Sequence, residues 1–124
     1  MSLLLGPDLP EVTRAAVFGL AKSGLATVRA LLARGVSVVA TDAAPAEKLG
    51  PLPSDERLEL ALGGHPLSLL SGVDLCVVSP GVPMSIPVLD AARASGIPVI
   101  AEVELASRLL PGIVVGITRP RKVW

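Results

Sequence analysis

Short apolar runs alternate with segments of helical periodicity along most of the chain. Segments in which apolar residues recur every three or four positions predict helices at 23–34, 66–70, 86–95 and 102–110. The apolar runs predict strands at 15–18, 36–41, 58–62, 74–79 and 97–101. Strands that alternate with helices indicate a parallel sheet. We therefore predict an α/β, Rossmann-like, three-layer domain with a parallel sheet of about five strands and helices on both faces.

The connections between these elements give further predictions. Residues 43–57 are rich in proline, alanine and charge, which favours a surface connection with at most a short helical turn. Ser85 is placed to cap the helix 86–95, with Pro87 in its first turn. Glu102 and Glu104 begin the last helix, where acidic side chains interact favourably with the helix dipole.

Composition narrows the class of protein. The chain has 124 residues, which favours one domain, and 51% of them are hydrophobic, which argues against disorder. Eleven basic residues balance eleven acidic ones, so charge gives no reason to expect a nucleic-acid partner. No apolar stretch approaches the roughly 20 residues of a membrane span, and the N-terminus lacks the basic segment of a signal peptide. We expect a cytoplasmic domain without a membrane partner, with its one cysteine, Cys76, buried in an apolar strand.

The turn Gly19-Leu20-Ala21-Lys22-Ser23-Gly24 lies between the first strand and the first helix. Gly19 suits a tight turn and Gly24 suits close packing of the helix on the strand. The N-terminus of the helix offers N–H groups and a partial positive charge to a phosphate. Ala21 stands where the dinucleotide fingerprint has its middle glycine, so the usual NAD pose is disfavoured. A plain strand–helix turn without a ligand is the alternative.

Two more segments are predicted at the same edge of the sheet. Asp42 ends the second strand, where a carboxylate can accept a hydrogen bond from a ribose hydroxyl or a base N–H. Ser79-Pro80-Gly81-Val82-Pro83 follows the fourth strand as a stiff turn with exposed backbone groups. The alternatives are a solvated turn aspartate and a loop selected only for its shape.

Catalytic and metal-binding patterns are not visible in the sequence. His65 is the only histidine, and no cysteine, histidine or carboxylate stands at ligand spacing from it, so we predict neither a metal site nor a catalytic residue.

Five motifs in register resemble the N-terminal domain of the bacterial Mur ligases, and most closely its MurD branch. They are Gly-Leu-Ala-Lys-Ser-Gly at 19–24, Thr-Asp at 41–42, Leu-Gly-Gly-His-Pro at 62–66, Asp-Leu-Cys-Val-Val-Ser-Pro-Gly-Val-Pro at 74–83 and Gly-Ile-Pro-Val-Ile-Ala-Glu-Val-Glu-Leu at 96–105. In that family the first domain holds a UDP-sugar, the second binds ATP and magnesium, and the third helps to bind the incoming amino acid. The resemblance therefore implies a domain that binds UDP-N-acetylmuramoyl-L-alanine for an ATP-dependent ligase that adds D-glutamate in peptidoglycan synthesis.

The resemblance also assigns site residues. Those implied to face the diphosphate are Lys22, Ser23 and Gly24. Asp42, with Ala43 beside it, is implied to contact the uracil. The opposite wall is implied to be Ser79, Pro80 and Gly81.

The end of the chain departs from the family pattern. After Gly116-Ile117-Thr118 the family continues into a Gly-Thr-Asn-Gly-Lys-Thr-type phosphate loop, whereas this chain continues as Arg119-Pro120-Arg121-Lys122-Val123-Trp124. We expect residues 1–112 to form the UDP-sugar-binding domain. Residues 113–124 are expected to be the start of a truncated ATP-binding domain with a basic tail foreign to the family.

Two expectations and two rival functions follow. We expect the chain to hold no cofactor itself, ATP and magnesium being bound elsewhere in the parent enzyme, and to be inactive alone. The apolar strand 113–117 lacks a partner sheet, so we predict that it is poorly ordered or supports self-association. The rivals are a regulatory Rossmann domain that senses NAD or another nucleotide, and a structural domain without a ligand.

Overall fold

A single parallel sheet forms the centre of the computed structural model, which describes residues 2–109. Its strands are β1 (Arg14–Phe18), β2 (Ser37–Asp42), β3 (Leu58–Leu62), β4 (Leu75–Val78) and β5 (Val99–Ala101). They are hydrogen-bonded in the order β3-β2-β1-β4-β5, and every pair is parallel. The predicted α/β architecture with a parallel sheet of about five strands is confirmed.

Helices cover both faces of the sheet. They are α1 (Lys22–Ala33), α2 (Pro87–Ala94) and α3 (Glu102–Leu109), with short 3-10 helices at Ala46–Lys48 and Leu67–Leu70. Side chains of β1 alternate between two buried clusters, as the period of two in a strand requires. Val17 packs in the cluster that contains Leu31 of α1 and Leu105 of α3, whereas Phe18 packs in the cluster that contains Leu89 of α2. The domain therefore has three layers.

The strand order reverses between β1 and β4. From β1 the chain passes outward to β2 and β3, then crosses to β4 and continues to β5 on the other side. Loops that leave β1 and β4 consequently run in opposite directions and open a crevice at the carboxyl ends of the strands, which is where open α/β sheets bind their ligands. The turns after Phe18, Asp42 and Val78 all lie at this edge.

Two local predictions were wrong. Ser85 does not cap α2: the capping position is Ile86, which makes no side-chain capping bond. Pro87 suits the first helical position because it has no N–H that needs an acceptor. The capping position therefore falls on Ile86, one residue after Ser85. The fifth strand begins at Val99 rather than at residue 97. The reason is that the N–H of Ile97 donates to the carbonyl of Ala92 and so belongs to the end of α2.

The N-terminal segment, residues 3–12, packs on the domain through contacts that were not predicted from the sequence. Leu3 forms an antiparallel bridge with Val12. The Arg108 guanidinium of α3 donates hydrogen bonds to the carbonyl of Leu5 and to the carboxylates of Asp8 and Glu104. These contacts hold residues 3–12 against the last described helix.

Three expectations lie partly or wholly outside the described residues. The predicted strand 113–117, the boundary at residue 112 and the basic tail all fall there. Within residues 2–109 no helix is both long and apolar enough to cross a membrane.

Candidate nucleotide-binding site

The turn between β1 and α1 depends on two glycines. Gly19 has a φ of +96°, a conformation that side chains disfavour, and its N–H donates to the carbonyl of Thr41 at 2.9 Å. Gly24 lies directly beneath the turn: a Cβ there would be 1.8 Å from the carbonyl oxygen of Gly19. The predicted roles of both glycines, a tight turn and close packing of helix on strand, are confirmed.

Within the described residues, neither a capping side chain nor an acidic side chain of the first turn compensates the partial positive charge at the N-terminus of α1. Ala21 occupies the capping position without a side-chain bond, and the first turn contains no acidic residue. The first backbone bond of the helix runs from Leu25 to Ala21, so the N–H groups of Lys22, Ser23 and Gly24 have no acceptor within residues 2–109. Lys22 also adds a cation at the positive end of the helix dipole, which is unfavourable without an anion. The free N–H groups and this cation are well suited to a phosphate group.

Asp42 links the loops around the site by hydrogen bonds. Its Oδ2 accepts the N–H of Leu20 at 2.8 Å, and its Oδ1 accepts the N–H of Ala44 at 2.9 Å. Its carbonyl oxygen accepts the N–H groups of Gly63 and Gly64. A carboxylate oxygen has two lone pairs, so each retains one for a ligand. Asp42 thus connects the loops after β1, β2 and β3 and still presents acceptors to the crevice.

Ser79 fixes the turn after β4. Its hydroxyl is buried and donates to Glu102 at 2.8 Å, with the carbonyl of Gly19 also within 3.2 Å. Glu102 was predicted only as a favourable charge at the start of its helix, and it does lie in the first turn of α3. It also joins α3 to the β4 turn through Ser79, a contact that sequence spacing did not reveal.

These turns enclose a cavity of about 500 Å³. Six of the eight predicted site residues line it: Ser23, Asp42, Ala43, Ser79, Pro80 and Gly81. Gly24 does not line it because it is buried beneath the turn, and Lys22 is exposed beside it rather than in its wall. The volume falls within the roughly 300–1,000 Å³ range of small-molecule sites.

His65 also lines the cavity, although the sequence assigned it no role. Its Nδ1 lies 2.7 Å from the Oγ1 of Thr41, and its ring centroid is 5.6 Å from that of Phe18. Burial lowers the pKa of His65, and the charge of Asp42 opposes this only partly. The imidazole is therefore neutral at neutral pH. The one available sequence signal was the Gly63-Gly64-His65-Pro66 turn at the end of β3.

A second cavity, of about 460 Å³, lies between α1 and α3. Its walls are mainly apolar, with Ala26, Ala30, Val103 and Ala106 among them. It meets the first cavity at Ser23 and Pro80, which line both. Arg34 and Glu102 also line it, and the Arg34 guanidinium donates to the carbonyl of Ala30 at 3.0 Å. Among residues 2–109, moreover, no three metal-binding side chains are grouped.

Known proteins of similar sequence share most of this domain. The family model of the MurD-like N-terminal domain of Mur ligases matches residues 13–101, which is more than half of the chain. This chain belongs to the MurD-like N-terminal domain family. The resemblance seen in the five motifs is thus confirmed.

Individual relatives of the MurD-like domain agree with this assignment. The UDP-N-acetylmuramoylalanine--D-glutamate ligase of Myxococcus xanthus is 47% identical over 100 residues, covering 78% of this chain and 22% of the relative. The ligase of the same name from Anaeromyxobacter dehalogenans is 47% identical over 120 residues, covering 93% of this chain and 25% of the relative. The chain therefore spans about a quarter of the length of these relatives.

Solved structures also resemble the MurD-like domain in fold. One of them is the UDP-N-acetylmuramate-alanine ligase MurC of Thermotoga maritima, with a TM-score of 0.59 and 16% identity, covering 79% of this chain and 23% of that protein. At this identity the likeness supports the three-layer α/β fold alone.

Proposed function

We propose that the MurD-like domain binds UDP-N-acetylmuramoyl-L-alanine as the substrate-binding N-terminal domain of an ATP-dependent ligase of peptidoglycan synthesis, which joins D-glutamate to this UDP-sugar. The observation that carries the proposal is the 500 Å³ cavity at the strand-order reversal, next to an N-terminus of α1 with three free N–H groups. The names of the relatives support the choice of ligand.

The diphosphate and the uracil of the ligand each have a suitable counterpart in the site. The diphosphate is accommodated by the N–H groups of Lys22, Ser23 and Gly24, with the Lys22 ammonium beside them. The uracil lies beside Asp42 and Ala43, where one free lone pair of the carboxylate accepts its N3–H. Ser79, Pro80 and Gly81 supply the opposite wall.

The rival ligand NAD fits this turn less well. A glycine at the middle position of the dinucleotide fingerprint lets a pyrophosphate approach the backbone closely. Here that position is Ala21, which lines the cavity, so its methyl group occupies the approach. The NAD-sensing alternative is therefore disfavoured, whereas a phosphate bound at the helix N-terminus is unaffected.

Catalysis belongs elsewhere in the parent enzyme under this proposal. ATP and magnesium are bound outside the domain, and the domain alone is inactive and resides in the cytoplasm. The site residues bind and orient the UDP-sugar, and none of them takes part in amide formation. Incubation of the 124-residue chain with ATP, D-glutamate and the UDP-sugar is expected to release no ADP.

Calorimetry on the 124-residue chain tests the proposed ligand. We expect UDP and UDP-N-acetylmuramoyl-L-alanine to bind with dissociation constants on the order of 1 mM, since the rest of the relatives' length is not available to complete the site. NAD is expected to bind more weakly. Equal or tighter binding of NAD would contradict the proposal. No detectable binding of UDP at millimolar concentration would favour the alternative of a structural domain without a ligand.

Two substitutions at Ser23 separate binding from folding. Ser23→Asp places a carboxylate among the free N–H groups of α1, which stabilises the helix by about 0.3–1 kcal/mol while repelling a diphosphate. Ser23→Ala is the matched control without the charge. We expect Ser23→Asp to raise the melting temperature and abolish UDP binding, whereas Ser23→Ala keeps most of it.

A further inference from the structure

Ser79 is the residue at which two turns that line the 500 Å³ cavity meet. Its carbonyl accepts the N–H of Val82 at 3.0 Å, so its backbone begins the β4 turn. A Cβ on Gly19 would lie 2.9 Å from the Cβ of Ser79, and a Cβ on Gly24 would lie 3.0 Å from its Oγ. The Ser79 side chain therefore packs directly against the β1–α1 turn, and a change in its position alters how the two turns face each other.

The hydroxyl of Ser79 has one hydrogen and two acceptors within reach. The Oε2 of Glu102 lies 2.8 Å from its Oγ, and the carbonyl oxygen of Gly19 lies 3.2 Å from it. Hydrogen bonds to a carboxylate are shorter and stronger than those to a neutral carbonyl, so the hydrogen points to Glu102. Glu102 is itself held in place, because it begins α3 and α3 is anchored in the core by the buried Leu105. The side chain of Ser79 thus connects the β4 turn to α3.

We infer that Glu102 is a positioning residue, which acts through the Ser79 hydroxyl to hold the β4 turn in place against the β1–α1 turn and so prepares the cavity for its ligand. Glu102 lines the α1–α3 cavity but not the 500 Å³ cavity, so its effect on the ligand passes through Ser79. The inference rests on the proposed function, because it assumes that a nucleotide occupies the 500 Å³ cavity. Without Glu102, the Ser79 hydrogen turns to the carbonyl of Gly19. Ser79 then stays paired and the fold is kept, whereas the β4 turn loses its link to α3.

Replacement of Glu102 separates this role from folding. In an amide NMR titration of the 124-residue chain, we expect Glu102→Ala to weaken UDP binding about tenfold, since the turn must then be ordered at a cost near that of one hydrogen bond to a charged group. Its melting temperature should fall by only a few degrees. Glu102→Gln keeps a side-chain oxygen that accepts the same hydrogen, so UDP binding should stay within about threefold of wild type. Glu104→Ala is the matched control, because it removes the same charge from α3 while its carboxylate contacts Arg108 rather than Ser79.

A double substitution tests whether Glu102 acts through Ser79. In a Ser79→Ala background the hydroxyl is gone, so adding Glu102→Ala should change the UDP affinity no further. A second measurement needs neither Ser79→Ala nor a ligand. In free Glu102→Ala the amide signals of Gly81 and Val82 should shift from their wild-type positions, whereas in free Glu104→Ala they should not.

The outcomes separate this inference from the function on which it rests. If the wild type binds UDP and Glu102→Ala binds it equally well, or if the Gly81 and Val82 signals do not move, the role of Glu102 is overturned and the proposed function is intact. Losses in Glu104→Ala or Glu102→Gln as large as that in Glu102→Ala also overturn the role, because the loss of charge alone would then explain them. A further loss on adding Glu102→Ala to Ser79→Ala overturns the action through Ser79. Failure of the wild type to bind UDP overturns both.

Discussion

Replacement of Gly24 by alanine tests the packing on which the whole site depends. Gly24 lies within α1, and its backbone has no positive φ, so helix propensity alone predicts a gain of about 1 kcal/mol from alanine. Packing predicts the reverse. The new Cβ would lie 1.8 Å from the carbonyl oxygen of Gly19 and 2.8 Å from its carbonyl carbon, both of them backbone atoms.

The magnitude follows from that distance. Contact at 3.0 Å requires Gly19 and α1 to separate by about 1.2 Å, in a turn that is also held by the bond between Gly19 and Thr41. Overpacking of this kind costs about 1–3 kcal/mol, even after relaxation. For a domain of this size we expect the melting temperature to fall by roughly 5–15 °C. UDP binding should be lost as well, because the free N–H groups of α1 move with the turn.

Thermal unfolding followed by circular dichroism measures the effect. Gly50→Ala is the matched control, since Gly50 is exposed in a loop and a Cβ there meets no atom within 4 Å. We expect the control to change stability by less than about 0.5 kcal/mol. A Gly24→Ala variant as stable as the wild type would refute the close approach of helix and turn.

Two further predictions concern acid stability and thiol reactivity. Partial burial raises the pKa of Asp74, but the N–H groups of Thr13 and Arg14 and the Thr13 hydroxyl outweigh it, so the folded pKa is lowered. Its stabilising contribution is therefore present above the unfolded value near 3.8 and is lost as the pH falls through the folded pKa. In urea unfolding, Asp74→Asn should be less stable than wild type at neutral pH, with a smaller difference at low pH; a constant difference would be inconsistent with this account. Burial raises the pKa of Cys76 to about 12, so its thiol should react with Ellman's reagent near neutral pH only after unfolding, and rapid reaction of the native chain would contradict its place in the core.

The features that depend on residues close together in the sequence were predicted well. Apolar runs and helical periodicity identified the strands and helices, because the burial of β1 and β4 requires continuous apolar residues. Three of the turns that line the cavity were also found, since each follows the carboxyl end of a strand and those ends lie at one edge of a parallel sheet.

Contacts between distant residues account for what the sequence did not reveal. Ser79 and Glu102 are 23 positions apart, and Thr41 and His65 are 24 apart, so neither pair shows a spacing that a motif would mark. Such pairs form only after the crossover connections have set the strand order. Ser85 failed as a cap for a different reason, which is that Pro87 shifts the start of the helix by one residue.

Titration of UDP into the nitrogen-15-labelled chain, followed by amide NMR, tests the central claim most directly. We predict that the largest changes in chemical shift fall on the amides of Lys22, Ser23 and Gly24, with smaller ones at Asp42 and Ala43. Changes confined to the α1–α3 cavity, or no change at millimolar UDP, would contradict the claim that this domain binds a UDP-sugar at the N-terminus of α1.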